Sequence, residues 1–316
     1  MDRQLLIAKK EVTYGTDVIP AAVDTVWAED VTFKPTGQRV TPNPAKPGVG
    51  PVADHTYGEH AAFSFKIPLA ASGTLGVAPA FGPILKACGW DEAISAVVGS
   101  ESVTYSLMAN PVACDSLSIL WREARRAHKM LGWRGRASVE LGAGNRPMLA
   151  CNGIGLFIPV VAAAELVHAD ANFAAWKDAK PVSNGTTTMS FGGVSDLGVR
   201  EFSFEQSDNV VFVDVPGQEN VTLAGERTFT GKMKVTTPPI GTLNLEALWS
   251  AGTVSPFSLT HGVLQGAGNI VTVSGRAQVS DAPEYARDRG VDTTSCSLKL
   301  VPSSLTTDDD LVIVLT

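Results

Sequence analysis

The sequence predicts a mainly β protein made of two related sandwich- or barrel-like domains, each with one short packed α-helix. Three observations predict it. Runs of Val, Thr and Phe are broken throughout by Gly, Pro and Asn, the punctuation of strands and turns, with 30 Gly and 19 Pro among 316 residues. The stretch Ala71–Trp90 (ASGTLGVAPAFGPILKACGW) holds the clearest helical period. A set of short matches then recurs in one unbroken order along the second half, as an internal repeat would.

In the helical stretch, Phe81, Ile84, Leu85 and Cys88 recur at i, i+3, i+4 and i+7, one apolar stripe. Pro79 suits a first helical turn, where a missing N–H is no loss, and Pro83 still falls near that turn. Gly89 stands where a left-handed helix stop is expected. Upstream, Phe63, Phe65 and Ile67 alternate with Ser64 and Lys66, the period of a strand. Pro79, Phe81, Ile84, Leu85, Cys88 and Gly89 are thus expected to form a structural helix plugging a β-sandwich.

From the N-terminus, Met1–Thr13 reads as a mixed arm that could extend, and Val23–Thr32 as a first strand. Lys34–Ala53 (KPTGQRVTPNPAKPGVGPVA) is Pro/Gly-rich without an apolar period. A loop this long is either a linker or a segment that grips a partner, and Lys34, Arg39, Pro42 and Pro44 are its candidate contacts. Ser102–Met108 alternates as a strand. Ser116–Trp121 and His128–Trp133 flank a basic cluster, Arg122, Arg125, Arg126, His128 and Lys129, for which hairpin and helix compete. Arg136–Leu141 and Met148–Phe157 are strands around the turn Gly142–Asn145, and Val160–Ala175 is an Ala-rich, partly helical connector.

The repeat begins with Val199–Glu205, matched to the first strand. Gly225-Glu226, then Phe229 and Lys232, follow Gly58-Glu59, then Phe63 and Lys66. Leu243–Gly252 falls where the second helix belongs, with Leu248 matching Leu85. Gly275–Val279 (GRAQV) follows Gly135–Val139 (GRASV), and Cys296 with Pro302 follows Cys151 with Pro159. This places domains at 1–175 and 176–316. The second is expected to lack the Arg122–Lys129 hairpin.

Composition narrows the function classes. Only 18% of residues are charged, against about a quarter in soluble domains, which points to surface covered in an assembly. The net charge of −7 lacks the basic balance of a phosphate-gripping protein. Cys88, Cys114, Cys151 and Cys296 have no C-x-x-C spacing, so reduced, buried thiols in a cytoplasmic protein are expected. No secretory leader pattern opens the chain, and no apolar run is long enough to span a membrane.

Site motifs are mostly absent. Gly225–Met233 (GERTFTGKM) has one residue too many for a phosphate loop, with Met233 in place of the metal-binding hydroxyl. The Gly142 and Gly153 pairs lack a third glycine opening a helix, and there is no G-x-S-x-G elbow. His55 and His60 bracket Glu59, but the spacing is not that of a zinc helix. Asp308–Asp310 reads as a solvated turn, with a cation site as the minor alternative. No metal, cofactor or catalytic group is expected. The basic cluster, near Trp121 and Trp133, suits either a single nucleic-acid strand or an acidic face of a neighbouring subunit.

Ser72-Gly73-Thr74 followed by Ala78–Gly89 (APAFGPILKACG) resembles the tail tube (major tail) proteins of long-tailed, siphovirus-like bacteriophages. There a phrase similar to "GT…APAWGPLLRACG" follows the first strands; Phe81 replaces the usual tryptophan and Lys86 the usual arginine. The opening Lys9–Gly15 (KKEVTYG) resembles that family's start, and the likeness elsewhere is diffuse. The resemblance favours a hairpin over Arg122–Lys129, so Arg122, Arg125, Arg126 and Lys129 join the candidate subunit contacts. It implies a non-enzymatic virion subunit, made and assembled in the host cytoplasm. Rings of such subunits stack into a hollow conduit for genome ejection, its lumen lined by sheet with the helices outside, with no contractile sheath around it. The implied partners are further copies of the chain, a tape-measure protein, tail terminator and tail-tip proteins, and double-stranded DNA passing without specific binding. With two tube-like domains per chain, three chains would complete a pseudo-hexameric ring; a single tube domain per chain would need six. The alternative class is a soluble β-sandwich binding module such as an adhesin or carbohydrate binder, although no aromatic cluster marks one face.

Overall fold

The computed structural model describes residues 3–207, 209–224, 227–304 and 306–316. The first half contributes β1 (Gln4–Lys10), β2 (Thr25–Val26), β3 (Glu29–Val40), β4 (His55–Pro68), α1 (Gly82–Ala87), β5 (Trp90–Ser95), β6 (Ser102–Leu107), β7 (Leu117–Glu123), β8 (Arg126–Gly142), β9 (Met148–Phe157) and β10 (Val161–Ala162). The second contributes β11 (Thr187–Phe191), β12 (Val199–Gln206), β13 (Asn209–Val215), β14 (Gln218–Ala224), β15 (Phe229–Thr236), α2 (Leu245–Ala251), β16 (Val254–His261), β17 (Val271–Val279), β18 (Glu284–Asp288), β19 (Val291–Leu300) and β20 (Leu311–Leu315). The protein is mainly β, with one α-helix in each half among the described residues.

The first helix is shorter than its sequence phrase. Phe81 caps α1 and Pro83 occupies its first turn. Pro79 lies in the preceding turn, its carbonyl accepting from the Gly82 N–H at 3.0 Å. Phe81, Ile84, Leu85 and Cys88 are buried. Gly89 ends the helix at φ +80°, a conformation that costs a side-chain-bearing residue. In α2, Asn244 Oδ1 accepts from the Ala247 N–H at 2.9 Å, an N-cap, and Gly252 supplies the left-handed stop. α1 lies against β8, and α2 against β17.

Several strands depart from the sequence reading. The N-terminal arm is β1, paired with β7 along its whole length. The first strand is broken into β2 and β3, and β3 runs on through seven residues expected to be loop, 34–40, paired with β4 from Phe33↔Phe63 to Val40↔His55. The expected pair His128–Trp133 and Arg136–Leu141 is one strand, β8, irregular only between Leu131 and Arg134, where Gly132 takes φ +62°. The connector 160–175 holds β10 and one 3-10 turn instead of an α-helix. Gly225 and Glu226 lie outside the described residues; Lys232 is on strand β15, facing Ser203 and Ser297, where a phosphate loop would need a helix.

Strand neighbours repeat between the halves. Among the described residues all pairs between these strands are antiparallel. The first half runs β1–β7–β8–β9–β4–β3. The second runs β11–β16–β17–β19–β15–β12. β10 adds to β8 as β20 adds to β17. The hairpin without a counterpart in the second half is β5–β6, which pairs with β20; the β7–β8 hairpin carrying Arg122–Lys129 is matched in order by β16–β17. The cysteines keep register, Cys151 facing Phe65 and Cys296 facing Met233. The GRASV and GRAQV pentapeptides do not: Ala137 faces Cys151, whereas Ala277 faces Leu300, four residues beyond Cys296.

Burial of the α1 stripe sets a first expectation. Leu85→Ala removes a side chain that is 0% exposed and should cost about 2–5 kcal/mol. The measurement is the urea midpoint; an unchanged midpoint would remove α1 from the core.

Candidate interaction surfaces

The β3–β4 arm leaves the body of the fold. Residues 34–40 of β3 and 55–57 of β4 are all exposed, so neither face of its outer end is covered by its own chain. Lys34 faces Ala62 and Arg39 faces Thr56. Pro42 and Pro44 belong to the tip, 41–54, whose base is tied by Thr41 Oγ1 donating to Asp54 Oδ1 at 2.6 Å. At the root of the arm, the His60 ring stacks on Phe212 of β13 with centroids 4.6 Å apart. Its Nδ1 lies 2.9 Å from the Gly58 carbonyl oxygen.

The basic cluster is a hairpin tip, and most of its charge is neutralised within the chain. Arg122 meets Asp170 at 3.1 Å and donates to the Ala164 carbonyl at 2.8 Å. Arg125 is 3.7 Å from Glu165, and Lys129 is bonded to Asp17. Arg126 is exposed. Four cations expected to face a partner thus include three held by the 160–170 segment and by Asp17. A surface with its charges so paired offers little to phosphates, whose binding scales with the cations free to displace counterions. His128 is packed between Phe33 and Trp121, with centroids at 4.9 and 4.7 Å.

Two features were not foreseen. Glu11, inside the KKEVTYG opening, is buried and forms no ion pair among the described residues. Its carboxylate accepts from Ser116 Oγ at 2.6 Å, Ser118 Oγ at 2.9 Å, the Gly132 N–H at 2.7 Å and the Gly15 N–H at 2.8 Å. A carboxylate with four donors is one that burial tolerates. Three residues on, Tyr14 packs so close to Gly132 that a Cβ there would stand 2.7 Å from its ring. The second feature is the β13–β14 hairpin. It was legible as the alternation Val211–Val215 followed by Pro216-Gly217, and Gly217 takes φ +87°. It inserts after β12, where the first half has its 41–54 tip, and folds back on β8 and β9. Val221 and Leu223 are buried, Arg134 donates to the Val221 carbonyl at 2.9 Å, and the Arg134 guanidinium lies 4.9 Å over the Tyr14 ring.

The remaining candidates are structural. Arg227 joins Asp308 at 2.9 Å and Asp310 at 3.5 Å within the second half while donating to the Met108 carbonyl of the first, so the acidic run holds the arginine that reaches across to the first half. The four cysteines are buried; burial pushes the Cys114 thiol up to about 11 and that of Cys296 up to about 12, away from reactive thiolates. No group of three metal-ligating side chains occurs among the described residues. A recess of about 380 Å³, lined by Leu5, Leu6, Val26, Trp27, Val31 and Phe173 among others, is apolar and lacks a convergent set of acid, base and nucleophile.

Two variants probe this arrangement. Glu11→Ala leaves the buried Gly132 N–H and two serines without their acceptor and should cost about 3 kcal/mol, measured by denaturant unfolding; wild-type stability would show that the carboxylate holds nothing. Burial also lowers the pKa of His128 and of His261 below 6.5. The unfolded chain therefore binds protons that the fold refuses, so stability is full above pH 6.5 and falls as pH drops through the lowered folded values. Unfolding midpoints taken from about pH 8 down to about pH 5 should decline, and less steeply in His128→Phe, which keeps the ring stack.

With this geometry in hand, comparison with known proteins adds no relative: no protein-family model matches the chain, and no curated protein matches it.

Proposed function

We propose that the chain is a self-assembling structural subunit of a phage tail tube. The observation that carries this reading is the recurrence of one strand order in both halves, joined edge to edge where β12 pairs with β8. A chain that already links two copies of one unit by a strand edge is built to continue the series with further chains. On this reading residues 1–175 and 176–316 are duplicated tube domains, and three chains complete a pseudo-hexameric ring. The rings stack into a conduit, with the exposed β3–β4 arm reaching a neighbouring ring. The tape-measure, terminator and tip proteins are its partners by the sequence resemblance.

Charge fits the role. A duplex must slide through such a tube, and each phosphate ion pair would add salt-dependent grip. A protein of net charge −7, whose basic hairpin is neutralised internally, keeps that grip low. Lateral strand pairing also covers edges that would otherwise template aggregation.

Electron microscopy of the purified protein tests the reading. Rings or tubes of three chains are expected. Six chains per ring would overturn the duplicated ring, and monodisperse monomers at high concentration would favour a binding module. Deleting Pro42–Gly50 from the exposed tip should leave a folded monomer that does not polymerise; normal tubes from it would make the tip a spacer.

A further inference from the structure

The junction inside the chain predicts the junction between chains. Within the chain, β12 lies on the far end of β8: Glu201 faces Gly142, Phe202 faces Leu141, Ser203 faces Glu140 and Phe204 faces Val139. That contact helps bury Phe202 and Phe204, which are 0% and 1% exposed. The counterpart of β12 in the first half is β3. The counterpart of the far end of β8 in the second half is β18: each lies beside the turn of a hairpin, β8 on β9 and β18 on β19. Among the described residues β3 pairs only with β4, and β18 only with β19. Each half therefore has one edge of this junction used and the other open, and the open edges are of complementary kinds.

The register follows from paired positions. Phe65 faces Cys151 as Met233 faces Cys296. Two residues before Phe65 is Phe63, which faces Phe33; two before Met233 is Gly231, which faces Phe204. Phe33 thus stands in the place of Phe204. Two residues before Cys151 is Leu149, which faces Val139; two before Cys296 is Thr294, which faces Tyr285. Tyr285 thus stands in the place of Val139. The side chains look like an unfinished contact: Val31 and Phe33 are half-buried where Phe202 and Phe204 are fully buried, and Tyr285 is 58% exposed.

We propose that β18 of one copy adds antiparallel to the free edge of β3 of the next copy, with Phe33 opposite Tyr285 and Lys34 opposite Glu284. This rests on the reading of the chain as a self-assembling subunit and specifies its contact. An aromatic pair and an opposite-charge pair are the favourable cross-strand neighbours. Asp288 falls beside the β3 irregularity between Glu29 and Thr32, and its carboxylate is already held by Arg200 at 2.9 Å. Pro35 has no N–H to give, so the ladder stops there, and β3 is irregular between Glu29 and Thr32, with Asp30 at φ +51°, so the regular ladder joins residues 32–34 to Ala286, Tyr285 and Glu284 of β18. The contact uses two different edges. It is head-to-tail, and so closes rings or runs on, where an isologous contact would stop at a dimer.

Mixing two single variants, Lys34→Cys and Glu284→Cys, tests the register, because a disulfide between them can only join separate chains. The native thiols are buried. Mild oxidation of the mixture should give a crosslinked dimer at least about tenfold above the yield from Lys34→Cys mixed with Asp288→Cys, a position four residues away and roughly 13 Å out of reach. Lys34→Glu should weaken association by up to about fivefold, and Glu284→Lys in the same chain should restore it. Assembly by light scattering without the Lys34–Glu284 crosslink would overturn this contact while leaving self-assembly standing. A protein that stays monomeric at all concentrations would overturn both.

Discussion

The backbone of β8 is the constraint on which the rest depends. Its 17 residues pair with β7, β9, β10 and β12. Buried N–H and C=O groups must be paired, and a strand this long exhausts one partner before its own end. The irregularity at Leu131–Arg134 re-aims the strand. Trp133 then lies across the facing pair Gly135 and Gly153, where a Cβ on Gly153 would stand 2.6 Å from its Cε2, so only glycine admits the ring. Beyond that point β7 no longer reaches, and the edge of β8 is free to take β12. The link between halves is thus a consequence of how far one strand outruns its first neighbour.

Once β12 is placed, three further contacts lock the halves, the first of them the β6–β20 ladder. The β13–β14 hairpin comes from the second half but buries Val221 and Leu223 on the first. It meets there the N-terminal segment that Glu11 pins. Arg227 reaches Met108 on one side and the acidic run near the C-terminus on the other. The hairpin contact is apolar at Val221 and Leu223, and the Arg227 contacts are polar and specific in direction. They orient the halves, while the backbone ladder carries the join. Glu11 and Tyr14 of the opening segment are therefore also the residues that tie the first strand to β7, β8 and the hairpin from the far half.

A duplicated strand order changes what an exposed edge means. In an ordinary β protein an unpaired strand is a hazard, blunted by charge or proline. Here β3 carries Lys34 and Pro35, yet its counterpart β12 is paired on both edges over Glu201–Phe204. The same position in the fold is an edge in one half and an interior in the other.

The sequence by itself determined what is local. The spacing Phe81, Ile84, Leu85, Cys88 marked the helical face, and Gly89 its stop, because side-chain period and left-handed backbone depend on near neighbours. Met148–Phe157 could be bounded for the same reason, and so could the start of β12 at Val199. Tertiary structure decided what is not local. Alternation tells which face of a strand is buried but not which strand lies beside it, so neither the single span of β8 nor the role of β13–β14 could be read from periodicity. Charge clusters could not be assigned partners for a related reason: Arg122, Arg125 and Lys129 meet Asp170, Glu165 and Asp17 across loops. Glu11 looked like one more charge in a polar arm until the fold brought two serines and two backbone N–H groups around it.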